Sequence, residues 1–304
     1  MEEYTMKKLL IISALLLVSV GCSAQTTDRQ MINSVVEIPP LPEELLFAGE
    51  RVPLENFDTR ESLMREMLVT LYMHSRTSLT LMNTTRYFPI IEPILAEFGI
   101  PEDMKYLCVA ESGLDPNVVS TAGAGGLWQI MPTVGKENGL VVDGEVDERY
   151  HIEKATRVAC ILLKSYYEEF GSWAFAAAAY NLGPNGLRRR VDKQQSTNYY
   201  DTFLPEETLR YMFRILSFKL LIENQSDYGY RLAKSDYREP LTNYYEIEVS
   251  GKNIDWAALA REHGTSYRML RQLNHWIRDY DCANVAGRTF VVKMPGEGFR
   301  TNSK

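Results

Sequence analysis

Apolar residues recur with helical spacing along most of this chain and switch to alternation only near its end. Leu63, Met64, Met67, Leu68 and Leu71 mark one face of a helix that the pattern ends before Pro89. Residues 101–112 are punctuated as a further helix. Pro101 suits the first turn, Glu102 and Asp103 suit its positive end, and Gly113 suits the stop. Ala155, Ala159, Leu162 and Tyr166 predict another, as do the run Trp173–Tyr180 and the set Leu209, Met212, Phe213, Leu216 and Leu220. Residues 56–235 carry almost no strand signal. Beyond them the period changes: YYEIEV (Tyr244–Val249) alternates, and RTFVVKMP (Arg288–Pro295) is a second strand candidate. Two short helical stretches, DWAALAREHG and SYRMLRQLNHW, lie between, divided at Gly264. The prediction is a mainly α domain over residues 56–235 and a separate small α+β unit (βααβ) over 241–296, just large enough to fold alone.

The N-terminus reads as an export signal. Lys7 and Lys8 precede an uncharged apolar run, Leu9–Val20, which is too short to span a bilayer as a mature helix. The acidic Met1–Thr5 stretch is foreign to a basic n-region and points to initiation at Met6. Ser19-Val20-Gly21-Cys22 resembles a lipobox, which makes residues 1–22 a lipoprotein signal and Cys22 the lipidated mature terminus. Ordinary cleavage after Ala24 is the alternative. Pro39, Pro40, Pro42 and Pro53 give residues 23–55 the composition of a tether holding a domain off a membrane. Ser23 after the cysteine suits the outer membrane and a periplasmic location.

Composition narrows the remaining classes. With 304 residues, 45% of them hydrophobic and 24% charged, the chain is ordinary globular protein. A net charge of −7 argues against nucleic acid as a partner, because that affinity comes largely from counterions released by Lys and Arg. Cys108 and Cys160 sit within apolar helical patterns and read as buried free thiols. No CxxC or Cys/His cluster signals a metal, and nothing calls for a cofactor.

The candidate chemistry centres on Glu111. Met104, Leu107, Cys108 and Glu111 share one helical face, so a carboxylate closes a buried stripe. Desolvation and the negative helix C-terminus both raise its pKa, and a carboxyl protonated near neutrality can act as a general acid. A buried Glu neutralised by Arg or Lys is the structural alternative. Its company favours chemistry. Gly123, Gly125 and Gly126 allow close approach of a ligand, Ser120, Gln129 and Asn181 offer neutral hydrogen bonds, and Trp128, Met131 and Tyr180 offer apolar faces. Asp115, the tempting second carboxylate, belongs to a DP turn. The run RRRVDK (Arg188–Lys193) reads as a solvated helix face.

ESGLDP, S-x-x-GAGGLWQIMP and AAYNLGP, in that order, resemble the three motifs of the lysozyme-like lytic transglycosylases, the SLT family. The WQ form and YFPIIEPILAEFGIPEDMKYL resemble the membrane-bound murein transglycosylase D branch of that family. The resemblance implies a lysozyme-like α-helical fold with a helical N-terminal extension. It also implies cleavage of the β-1,4 bond between N-acetylmuramic acid and N-acetylglucosamine in peptidoglycan. Glu111 would protonate the glycosidic oxygen and then, as a base, accept the proton of the C6 hydroxyl. The product would end in a 1,6-anhydro sugar. Ser120, Gln129 and Met131 match residues lining the sugar sites, Tyr180 matches a tyrosine hydrogen-bonded to the catalytic glutamate, and Asn181 follows it. Ser112 is expected to make local hydrogen bonds, and Asp147 and Arg149 to be scaffold.

Residues 244–296 resemble a LysM domain, a glycan-binding unit. They depart from the pattern at SGKNIDW, where GDT is usual, and in a longer IRDYDCANVAG, so a spacer or partner platform is the competing role. The partners implied are peptidoglycan glycan strands and, through Cys22, a membrane. A non-catalytic peptidoglycan-binding lipoprotein and a muramidase on the same fold are the rival functions.

Overall fold

A computed structural model describes residues 38–300. The signal, Cys22 and residues 23–37 of the expected tether lie outside the described residues. Pro39 onward forms one compact unit. It opens with a hairpin of β1 (Leu45–Phe47) and β2 (Glu50–Val52), paired antiparallel with Leu45 opposite Val52. The tether expected over 23–55 therefore ends early. Leu45, Phe47, Val52 and Leu54 are buried, and Glu50 accepts the Trp173 and Ala174 amides at 2.6 and 3.2 Å, so this stretch is packed domain.

Helices α1 (Phe57–Tyr72) and α2 (His74–Glu97) follow. The helix expected to stop before Pro89 instead breaks at Met73 and then runs through both Pro89 and Pro93. Each proline forfeits one backbone hydrogen bond, but Ile91, Ile94 and Leu95 are buried on the continuing face, and that burial outweighs the loss. A 3₁₀ turn (Glu102–Met104) leads into α3 (Lys105–Ser112), which ends at Gly113 in the left-handed region with φ 61°. After an irregular loop come α4 (Pro132–Glu137), α5 (Ile152–Phe170), α6 (Trp173–Leu182), α7 (Pro184–Gln194) and α8 (Glu206–Glu223). Ala176, Ala177 and Ala179 of α6 are fully buried, so small side chains let neighbouring helices close on it.

The C-terminal unit has the expected order. β3 (Tyr244–Val249) pairs antiparallel with β6 (Phe290–Pro295), and α9 (Trp256–Glu262) and α10 (Tyr267–Leu273) lie between. A two-residue pair, β4 (Ile254–Asp255) with β5 (Asp281–Cys282), is additional. The unit is not separate, however. Its core of Trp256, Leu270, Trp276, Ile277, Phe290, Val292 and Met294 also contains Val146 and Tyr150 of the preceding domain. Among the described residues no helix is long and apolar enough to cross a membrane. Cys108, Cys160 and Cys282 are buried and free.

Candidate active site

Glu111 sits in the last turn of α3, and the backbone beyond it is pinned from three sides. Thr80 donates to Gly113 O and Asn83 to Leu114 O, both at 3.1 Å from α2. Ser112 Oγ donates to Cys108 O and accepts from Leu114 N, the local bonding expected of it. The Glu111 side chain is half-buried. Its Oε1 accepts a hydrogen bond of 2.5 Å from the Tyr211 hydroxyl of α8. Burial raises the carboxyl to a pKa of about 7, opposed by the Tyr211 bond and the Arg214 charge and assisted by Glu207. Arg214 does not pair with it: its guanidinium lies 3.1 Å from Glu207 Oε1 and 3.8 Å from Glu66 Oε2.

Residues 118–131 form the neighbouring loop, folded by isolated bridges of Val119 to Gly125 and Gly125 to Ile130. Arg149 holds it from behind, donating to Gly123 O at 2.6 Å and Ile130 O at 2.9 Å while paired with Asp147 at 2.7 Å. Two of the three glycines expected to admit a ligand, Gly125 and Gly126, have another use, while Gly123 faces open space. A Cβ on Gly126 (φ 75°) would stand 2.1 Å from Arg149 O, and one on Gly125 would stand 2.8 Å from the Tyr150 hydroxyl oxygen. They admit the protein's own backbone and ring.

Trp128, expected to offer a face to ligand, is fully buried and donates Nε1 to Thr156 Oγ1 at 2.8 Å. Tyr180, expected to bond the glutamate, donates instead to Trp128 O at 2.8 Å. It still lies near enough for the Glu111 charge to help burial raise its pKa. Tyr211 makes the bond to Glu111, and sequence reasoning missed it. Its signal was a tyrosine on the apolar stripe of α8, a hydroxyl that must find a partner when buried.

The other expected site residues divide. Gln129, held at φ 47°, donates Nε2 to Val118 O (3.1 Å) and Gly126 O (2.8 Å), so its amide shapes the loop. Ser120 Oγ accepts from Ala124 N at 3.0 Å within the same loop. Met131 is 39% exposed at the loop's end and free to meet a ligand. Asn181 accepts from Thr208 at 2.9 Å, tying α6 to α8. Asp115 accepts from Asn117 N at 2.9 Å in its turn and is exposed. In RRRVDK, Arg188 pairs with Glu169 and lies exposed. Among the described residues no group of three or more His, Cys, Asp or Glu side chains is placed to hold a metal ion.

Residues 91–203 match the transglycosylase SLT domain family, and residues 245–298 match the soluble lytic transglycosylase C-terminal LysM-like domain. The chain is 25% identical over 278 residues to membrane-bound lytic murein transglycosylase D of Escherichia coli (strain K12), covering 89% of this chain and 58% of that protein. Among solved structures, the 70 kDa soluble lytic transglycosylase SLT70 of Escherichia coli aligns with a TM-score of 0.43 at 19% identity, over 64% of this chain and 34% of that one. An inactive mutant of lytic transglycosylase Slt from Pseudomonas aeruginosa aligns with a TM-score of 0.39 at 19% identity, over 50% of this chain and 26% of that one. Glu111, the α3 helix end and the 118–131 loop all fall inside the first match, while the βααβ unit coincides with the second. Residues 91–203 are thus similar to a transglycosylase SLT domain, and residues 245–298 to a LysM-like domain.

Proposed function

We propose that the chain is a peptidoglycan lytic transglycosylase in which Glu111 is both acid and base. The observation that carries this reading is a half-buried carboxyl, raised to a pKa of about 7, that receives a hydroxyl and no guanidinium. With Tyr211 donating to Oε1, the proton of the neutral acid belongs on Oε2, where it can be handed to a glycosidic oxygen. As the muramic C1–O bond breaks, the substrate's own acetamido oxygen supports the positive centre at C1. The Glu111 carboxylate then takes the proton of the C6 hydroxyl as O6 bonds to C1. The sugar closes as a 1,6-anhydro ring, and no water is consumed.

Tyr211 favours the first half of this cycle. A hydrogen bond to an anion contributes about 1.5–3 kcal/mol, more than one to a neutral acid, so the bond strengthens as the proton leaves. The described neighbours also suit a route with one carboxylate. A two-carboxylate glycosidase needs a second group across the scissile bond. Asp115 is exposed in a turn, and Glu207 is exposed and bonded to Arg214.

Glycan strands are the proposed substrate, with Met131 and the 118–131 loop beside them. Ser120, Gln129, Tyr180 and Asn181 then act by shaping the site around Glu111. Incubation with purified sacculi tests the reading: soluble muropeptides should appear with the native chain and vanish with Glu111→Gln. Equal release by both would remove Glu111 from the mechanism, and release by neither would favour a glycan-binding protein without activity. Export and an outer-membrane lipid anchor at Cys22 complete the proposal. Labelled palmitate should enter the native chain in cells and fail to enter Cys22→Ser.

A further inference from the structure

The C-terminal unit meets the transglycosylase domain along a strip that leads to the candidate site. Trp276 O accepts from Asp147 N at 2.9 Å, Ile277 bridges Val146, and Arg278 N donates to Glu145 O at 2.9 Å. Glu145 Oε2 in turn accepts from Ala283 N at 2.9 Å. Side chains close the same strip. The Arg278 guanidinium lies 4.0 Å over the Tyr150 ring, the His151 and Trp276 rings stack at 6.1 Å, and Lys293 pairs with Glu153. Residues 145–150 are thus held as an edge of the C-terminal unit.

That edge contains Arg149, whose guanidinium holds the carbonyls of Gly123 and Ile130 and whose own carbonyl fills the notch at Gly126. The segment that leads into the unit reaches the other side of the site. Arg238 donates to Met82 O and to Asn83 Oδ1, both at 2.9 Å, and Asn83 holds Leu114 O, three residues past Glu111. A glycan-binding module on a tether would need none of these bonds. A loop fixed by one guanidinium is only as well placed as the backbone that carries that guanidinium.

We infer that the LysM-like unit is a positioning element for the transglycosylase site: residues 276–278 clamp residues 145–150, and through Arg149 they set the 118–131 loop beside Glu111. The inference rests on the lyase reading only for its kinetic consequence. Arg278 and Glu145 are positioning residues and touch no substrate.

Amide hydrogen exchange and kinetics on short soluble glycan oligomers, both in the full chain, test it. In Arg278→Ala, exchange over residues 118–131 should quicken about tenfold, the order expected for losing a partly desolvated cation–π contact. Exchange in α8 should not change. The kcat should fall with little change in KM, and Arg278→Lys, which keeps a cation over Tyr150, should restore both. Should Arg278→Ala loosen α8 as well, the milder Glu145→Ala decides, with the same loop-specific quickening expected. Unchanged protection of 118–131 while residues 276–283 loosen would overturn the inference. Exchange needs no turnover, so an inactive native chain would defeat the lyase reading alone, and an active chain with an unmoved loop would defeat the brace alone.

Discussion

Glu111 holds its proton because burial outweighs the two groups that favour its anion, the Tyr211 hydroxyl and the Arg214 charge. General acid–base catalysis typically contributes about 10²–10⁴-fold, so Glu111→Gln should lose at least that much activity on sacculi. In the free enzyme, kcat/KM should fall as pH rises through about 7 and the acid form disappears. Removing the Tyr211 hydroxyl takes away a bond to the anion. Tyr211→Phe should therefore move that limb to higher pH and lower kcat about tenfold, by the 1.4 kcal/mol scale of one such bond. A limb that stays in place would exclude Tyr211 from tuning the acid. Stability has its own signature. The folded pKa of about 7 exceeds the unfolded value near 4.5, so stability present below 4.5 is lost as pH rises to 7. Glu111→Gln should remove that decline, gaining about 1–3 kcal/mol over the native chain at pH 8 in urea unfolding. Glu111 was legible in sequence because a carboxylate on an apolar face is an anomaly. Tyr211, a hundred residues away, was not, since a tyrosine on an apolar stripe looks like ordinary core.

Helix punctuation was the most readable layer among the elements: Gly113 takes the left-handed cap that its place after the α3 stripe predicts. Prolines misled because the rule that they end helices assumes that nothing else is gained by continuing, and Ile91, Ile94 and Leu95 are buried beyond Pro89. The 118–131 loop misled for a related reason. Its glycines, tryptophan and glutamine have the right chemistry for a ligand, yet most of it is spent inward, on Arg149, Tyr150, Thr156 and the loop's own carbonyls. Periodicity reports which face is buried and is blind to what covers an irregular segment. Gly126→Ala should accordingly destabilise by about 2–5 kcal/mol, combining left-handed strain with overpacking against Arg149. Thermal melting checks this, and a melting point like that of the native chain would mean the notch can open.

At the scale of the whole molecule, the alternation at 244–249 and 290–295 announced the small unit, but its docking could not be read. Contacts such as Val146 to Ile277 join positions that no local period relates. The joint carries its own titration. Burial first, then Arg271, lower His275 to about 4; Asp115 opposes them, and Arg278 and Arg86 each add a smaller push in the same direction as burial. The folded pKa lies below the unfolded value near 6.5, so stability present above 6.5 is lost as pH falls toward 4. Glu111 titrates in the opposite sense over that window, so the His275 loss of about 1–3 kcal/mol is read in urea unfolding as the difference between the native chain and His275→Gln. His275→Gln should lose less, and equal losses would place the titration elsewhere. The central claim, cleavage by one carboxyl with water excluded, is tested most directly by the masses of muropeptides released from sacculi in heavy-oxygen water. Muramic ends lighter by one water and free of heavy oxygen are the predicted result. Reducing muramic ends carrying the heavy label would contradict it.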